Sequence, residues 1–144
     1  MAVKPIPDGY HTVTPYLIVN GASGLIDFAK GAFGAEEMFR MPGPDGTVGH
    51  AEMRIGDSVV MLADGTSDNP TQAATILLYV EDCDASYRKA LAAGGSVQRE
   101  PADQFYGDRT AGVNAGGVTW WLHTHVEDVS PEEMEKRVAA MAQS

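Results

Sequence analysis

HAEMRIGDSVVMLAD, residues 50–64, decides how this chain folds. Two apolar-rich runs are split by Gly56-Asp57, a dipeptide suited to a tight turn, so the stretch reads as a β-hairpin. Working upstream, GPDG (43–46) is a strong turn and EEMFRMP (36–42) a short strand before it. GASGLIDFAKGAFGAE (21–36) predicts a helix with apolar positions Leu25, Ile26, Ala29 and Phe33; Ser23 can cap it and Gly34 ends it. TVTPYLIV (12–19) reads as a strand, with Pro15 placing it at an edge or a bulge. Residues 1–10 form an irregular arm.

Downstream of a polar linker, GTSDNPTQA (65–73), the same grammar restarts. TILLYV (75–80) is a strand. Asp82 or Asp84 opens a helix, DASYRKALAAGG (84–95), closed by Gly94 or Gly95. SVQREP (96–101), FYGDRTAGV (105–113) and GVTWWLHTH (117–125) are three more strands. Ser130-Pro131-Glu132-Glu133 is a capping box with proline at the first helical position, and its helix ends near Ala142. Val19 and Val80, Gly34 and Gly95, and Gly56 and Gly117 are all 61 residues apart. A fixed period across three landmarks predicts two copies of one unit. The expected class is α+β in a single domain over 1–144. It holds two βαβββ modules, about 11–64 and 74–126, whose curved, mostly antiparallel sheets surround a cleft, and a C-terminal helix over about 130–142.

The 144 residues are 44% apolar and carry a net charge of −10. That is enough apolar material for a core, and the charge opposes nucleic acid and anionic membrane as partners. A single cysteine, Cys83, excludes an internal disulfide and zinc sites built on several thiolates. Neither an apolar leader nor a membrane-length apolar run is present, which predicts a cytoplasmic protein. Cys83 lies beside the N-terminus of the second helix, which favours a lowered pKa; a buried, inert thiol is the commoner alternative.

Several polar residues invite a chemical reading. In WWLHTH (120–125), alternation puts Trp121, His123 and His125 on one strand face and Trp120 on the other, packed under the second module's helix. The two histidines read either as a metal pair, joined by His50 and Glu52, or as a polar rim in which His125 bonds the loop leading to Ser130. His50 and Glu52 share a face as well, and serve either as a general-base pair or as a polar lining. In DQFYGDR (103–109), Tyr106 and Arg109 either polarise a ligand oxygen or belong to a hairpin in which Arg109 pairs with Asp103 or Asp108. Met38, Met41, Met53 and Met61 read as fillers of core gaps.

YHTVTPYLIV, IDFAKGAFGAEEMFRMPGPDG, GHAEMRIGDSVVML, DQFYGDR and THVEDVSPEEMEKR together resemble the PhnB-like branch of the vicinal oxygen chelate superfamily, the glyoxalase, bleomycin-resistance and extradiol-dioxygenase group. The resemblance runs from Tyr10 to Arg137. It implies paired βαβββ modules in a homodimer whose clefts form with help from both chains. Metal-dependent members place His, Glu or Gln ligands on the first and last strand of each module. Those positions fall here at Thr14, at Val60 or Met61, at Thr75 and at Trp121, none a competent ligand for a divalent metal. Relatives also carry Asp-Pro-Phe-Gly before the last strand, where this chain has Asn114-Ala115-Gly116-Gly117, which predicts a looser turn.

The expected function is therefore binding of a small organic molecule, cationic or aromatic, in an apolar cleft without metal or other cofactor. Trp121 is its stacking wall, with Tyr106, Arg109, His123, His50, Glu52, Thr14, Thr75 and Met61 around it. The alternative is a lyase, isomerase or dioxygenase that uses a shifted metal site at His50, Glu52 and His123, or metal-free acid/base chemistry.

Overall fold

A computed structural model describes residues 2–143; Met1 and Ser144, the ends of the expected 1–144 domain, lie outside the described residues. The first module is β1 (Tyr16–Val19), α1 (Ala22–Phe33), β2 (Glu36–Pro42), β3 (Val48–Ile55) and β4 (Ser58–Asp64). The second is β5 (Ala74–Tyr79), α2 (Cys83–Ala92), β6 (Ser96–Asp103), β7 (Asp108–Ala115) and β8 (Val118–His125), followed by α3 (Pro131–Ala142). The strand orders are β1-β4-β3-β2 and β5-β8-β7-β6, so the modules repeat one topology. In each, the first strand runs parallel to the last and the remaining pairs are antiparallel. The fold is the α+β pair of βαβββ units that the period of 61 residues predicts.

Several element ends differ from the sequence reading, each for a local reason. β1 starts at Tyr16, because Pro15 has no N–H to donate; its carbonyl still accepts from Met61 N at 2.9 Å. Ser23 does not cap α1. Gly21 stands at the cap position, and Asp64 reaches over from the end of β4 to accept from Gly21 N (2.8 Å) and Ala22 N (2.9 Å), while Ser23 Oγ accepts from Arg40. The same carboxylate accepts from Val48 N at 2.7 Å, so one side chain ties helix, β3 and β4 together. α2 is capped by Asp82, whose carboxylate accepts from Ala85 N, and α3 by Ser130, which accepts from Glu133 N. β7 starts at Asp108, since residues 104–107 close a turn through Gly107 N and Gln104 O. The β7–β8 connection is tight rather than loose. Gly116 and Gly117 take φ of 62° and 77°, a left-handed pair that only glycine adopts freely, and they make a two-residue hairpin turn.

The core lies between the modules. Leu25, Ile26, Phe28 and Ala29 of α1 bury against Leu17, Val19, Met53 and Leu62 of their own sheet and against Val113, Val118 and Trp120 of the other module. α1 and α2 pack on each other. Trp120 is fully buried, with its ring 5.2 Å from Phe33 and 6.1 Å from Phe28, so it packs on the first module's helix, in a core that Tyr87, Ala90 and Leu91 of the second module's helix also join. Because the helix-bearing faces meet in the middle, each sheet turns its other face outward. Of the four methionines expected to fill core gaps, only Met53 does; Met38 and Met41 are exposed and Met61 is half-buried.

Candidate functional site

The outward faces carry the chemistry. Cross-strand partners point to the same face of a sheet, so the register assigns each side chain. In the first module Tyr16 pairs with Met61, Met61 with Glu52, Glu52 with Phe39 and His50 with Met41, which puts all six on the open face. Val60 points the other way and is buried, so of Val60 and Met61 it is Met61 that stands at the last-strand position. Thr14 precedes β1 and is used in a turn, donating to the His11 carbonyl at 3.1 Å. His50 and Glu52, two apart on one strand, do reach each other: Nε2 to Oε2 is 2.9 Å. Glu52 also accepts from Tyr10 on the N-terminal arm, and His50 Nδ1 lies 3.0 Å from Tyr16 Oη. Hydrogen bonds from Tyr10 and then His50 hold the Glu52 carboxyl below its ordinary range. An ionised carboxylate only accepts, so His50 carries its proton on Nε2 and Nδ1 accepts from Tyr16. Both ring nitrogens are thus engaged.

In the second module the register lines up Thr75 with Thr119, Leu77 with Trp121 and Gly112, and Tyr79 with His123 and Thr110. The Trp121 ring lies over Gly112, where an added Cβ would come within 2.6 Å of it, and the Arg99 guanidinium sits 4.9 Å from the ring centroid. His123 is stacked on Tyr106 with ring centroids 6.3 Å apart. Beneath them Asp108, buried, accepts from Tyr79 Oη (2.9 Å), His123 Nδ1 (3.0 Å) and His125 Nδ1 (2.8 Å). Burial pushes its carboxyl up, but the three hydrogen bonds together outweigh that and leave it below its ordinary value. His125 Nε2 meets Asp128 at 2.7 Å, which joins β8 to the loop before Ser130, and Asp128 and Asp108 raise its pKa.

Arg109 is not brought to this face. It donates to Asp84 of α2 at 2.7 and 3.0 Å and to Asp103 at 3.2 Å, clamping the helix start to the β6–β7 hairpin. Asp84 is the partner that hairpin reasoning alone omits, because it comes from another element. Cys83 is buried, donates to the Leu122 carbonyl, and its thiol is pushed up to about 11 by desolvation, which replaces the lowered pKa suggested by the helix start.

His50 and Glu52 sit on one module and His123 on the other, with no contact between them within the chain, and among the described residues no group of three or more His, Cys, Asp and Glu is placed to hold a metal. The donors at the four superfamily ligand positions, two threonine hydroxyls, a thioether and an indole, do not fit a divalent cation. A cavity of about 860 Å³ lies between Val13, Phe33 and Val60 of the first module and Ile76, Leu78 and Lys89 of the second; Leu77 and Tyr79 also line it, but none of the nine expected ligand-binding residues does.

The sequence model of the glyoxalase, bleomycin resistance protein and dioxygenase superfamily matches residues 10–122, and the chain belongs to that family. It is 38% identical over 140 residues to an uncharacterised protein of Mycobacterium bovis, Mb0911c, covering 89% of this chain and 92% of that one. Its fold is similar to that of TnmS3 from Streptomyces sp. CB03234, described as an antibiotic binding protein, with 21% identity, a TM-score of 0.63, and 87% and 98% of the two chains covered. The PhnB protein of Bacillus cereus is likewise similar, with 20% identity, a TM-score of 0.60, and coverage of 79% and 99%.

Proposed function

We propose that this protein binds a small, flat organic molecule on the open face of β5–β8, in a cleft completed by a second copy of the chain, without a divalent metal. One observation carries this reading: the faces with clustered aromatic and polar side chains point outward from a core built on α1 and α2. Leu77 and Tyr79 beside Trp121, and Tyr16, Phe39 and Met41 on the other module, stay exposed in a single chain. β1 and β5 each stand at the end of a sheet and offer a strand edge to a partner, with the linker's Gln72 N donating to the Ile18 carbonyl of β1 at 3.0 Å. Pairing β1 of one copy with β5 of another joins the two kinds of open face across one cleft. The similarity to an antibiotic-binding protein supports a binding role for this fold.

Arg99 narrows the ligand. Its guanidinium already covers Trp121, so a cation stacking there must displace a like charge, whereas a neutral or anionic conjugated ring gains from it. This reverses the preference that the net charge suggests, because a charge within contact distance outweighs a screened surface average. The test is sedimentation of the purified protein followed by tryptophan-fluorescence titration with a panel of neutral, anionic and cationic aromatic compounds. A dimer that binds neutral or anionic members, with binding weakened at least tenfold in Trp121→Ala, is the expected result. A monomer, or binding indifferent to Trp121, overturns the reading.

A further inference from the structure

Three histidines sit on the two open faces, and their nitrogens are used differently. His50 engages both, with Glu52 and Tyr16. His125 engages both, with Asp108 and Asp128. His123 engages Nδ1 alone, with Asp108, and its Nε2 has no hydrogen bond among the described residues. Since the Asp108 carboxylate only accepts, Nδ1 carries the proton and Nε2 presents a lone pair. The ring cannot easily turn away: Tyr106 stacks on one side and Tyr79 meets it edge-on, with centroids 5.7 Å apart. Its cross-strand neighbour Thr110 is 1% exposed, and the Thr110 hydroxyl has no partner either. An unused lone pair at Nε2 beside an unpaired hydroxyl makes this a corner that favours a polar group on a molecule seated against it.

We propose that His123 is the proton acceptor for an acidic hydroxyl, phenolic or enolic, on the molecule bound against Trp121, with Asp108 as its positioning residue. The proposal rests on the binding site inferred above and names the chemistry of its ligand. His123 and Trp121 are two apart on β8, about 7 Å along the strand, a span that one aromatic ring with a hydroxyl can bridge. On binding, the ligand O–H bond breaks and an Nε2–H bond forms; no electrons are exchanged. The new imidazolium rests on Asp108. The other titratable groups facing His123 are Tyr79 from β5, Tyr106 from the β6–β7 turn and His125 from β8, itself held by Asp128. This is the first half of general-base chemistry, and it needs no metal.

4-Nitrophenol, whose phenolate absorbs visibly, reports the transfer directly, and 4-nitroanisole, which has no proton to give, reports binding alone. At the free phenol's pKa, about half of the free probe is ionised. Bound to the wild-type protein about nine-tenths or more of it is expected to be ionised, a drop in its pKa of about one unit or more. His123→Gln is expected to abolish that drop, and Asp108→Asn to reduce it. If 4-nitroanisole binds but the phenol is ionised equally in wild type and His123→Gln, the proton-acceptor proposal falls and the binding site stands. If neither probe binds, both fall. Long-range ¹H–¹⁵N spectra of the wild-type protein need no variant to fold: they are expected to show the Nδ1–H tautomer at His123, and the Nε2–H tautomer overturns the proposal.

Discussion

At the scale of single residues, Asp108 organises the second module's open face, and its charge has a pH signature. Its folded pKa is depressed, so its stabilisation is whole above the ordinary value of 3.8 and is lost as pH falls through the folded value. His125 has a raised folded pKa, so its stabilisation is whole below the ordinary value of 6.5 and is lost as pH rises through the folded value. Both contributions are therefore complete between pH 3.8 and 6.5. Urea midpoints of the wild type are expected to exceed those of His125→Gln in that window and to converge on them above it. The gap is small, since His125 is half exposed and solvent screens it. A constant gap up to pH 9 removes His125 from the pH response. The histidine's bond to the loop before Ser130 was legible in the sequence, and so was the shared strand face of Trp121 and His123. Asp108 was not: in DQFYGDR its letter fits a hairpin turn, and only the β7–β8 register reveals that a buried carboxylate stands opposite His125.

At the scale of elements, the sequence yields strands and helices well, because period and turn chemistry are local. It yields contacts between elements poorly. Ser23 has the right chemistry and place for a cap, yet the cap comes from Asp64, some 40 residues on, and no local rule could choose it. The consequence is measurable. Asp64→Ala removes the acceptor for Gly21 N, Ala22 N and Val48 N at once and is expected to cost about 2–3 kcal/mol in urea unfolding. Ser23→Ala, which loses only an exposed bond from Arg40, is expected to stay within about 0.5 kcal/mol. Equal costs for the two would return the cap to Ser23. The same limit explains Arg109, whose partner in α2 comes from outside its hairpin, and the four NAGG residues, where the loss of a stiffening proline is answered by two glycines in left-handed geometry.

For the whole molecule, the period of 61 residues shows that there are two modules but not how they meet, since both faces of each sheet carry apolar residues. The structure sets the helix-bearing faces together and leaves the aromatic faces outward. Trp120 is the side chain on which this can be tested. It belongs to β8, and its ring packs on Phe28 and Phe33 of α1, so it joins the two modules. Its indole nitrogen is buried without a partner, which makes packing, not hydrogen bonding, its contribution. Trp120→Ala is expected to cost about 3–5 kcal/mol, as for a large aromatic removed from a core. Trp120→Phe is expected to cost much less, because it keeps most of the contact and removes the unpaired N–H. Far-UV circular dichroism and tryptophan fluorescence should report one shared transition in the wild type, since the main core is built from both modules. In Trp120→Ala both signals should move to lower urea together. Were they to separate, with the second module alone losing stability, the modules would be independent units, and the outward orientation of their open faces would need another cause than a common core.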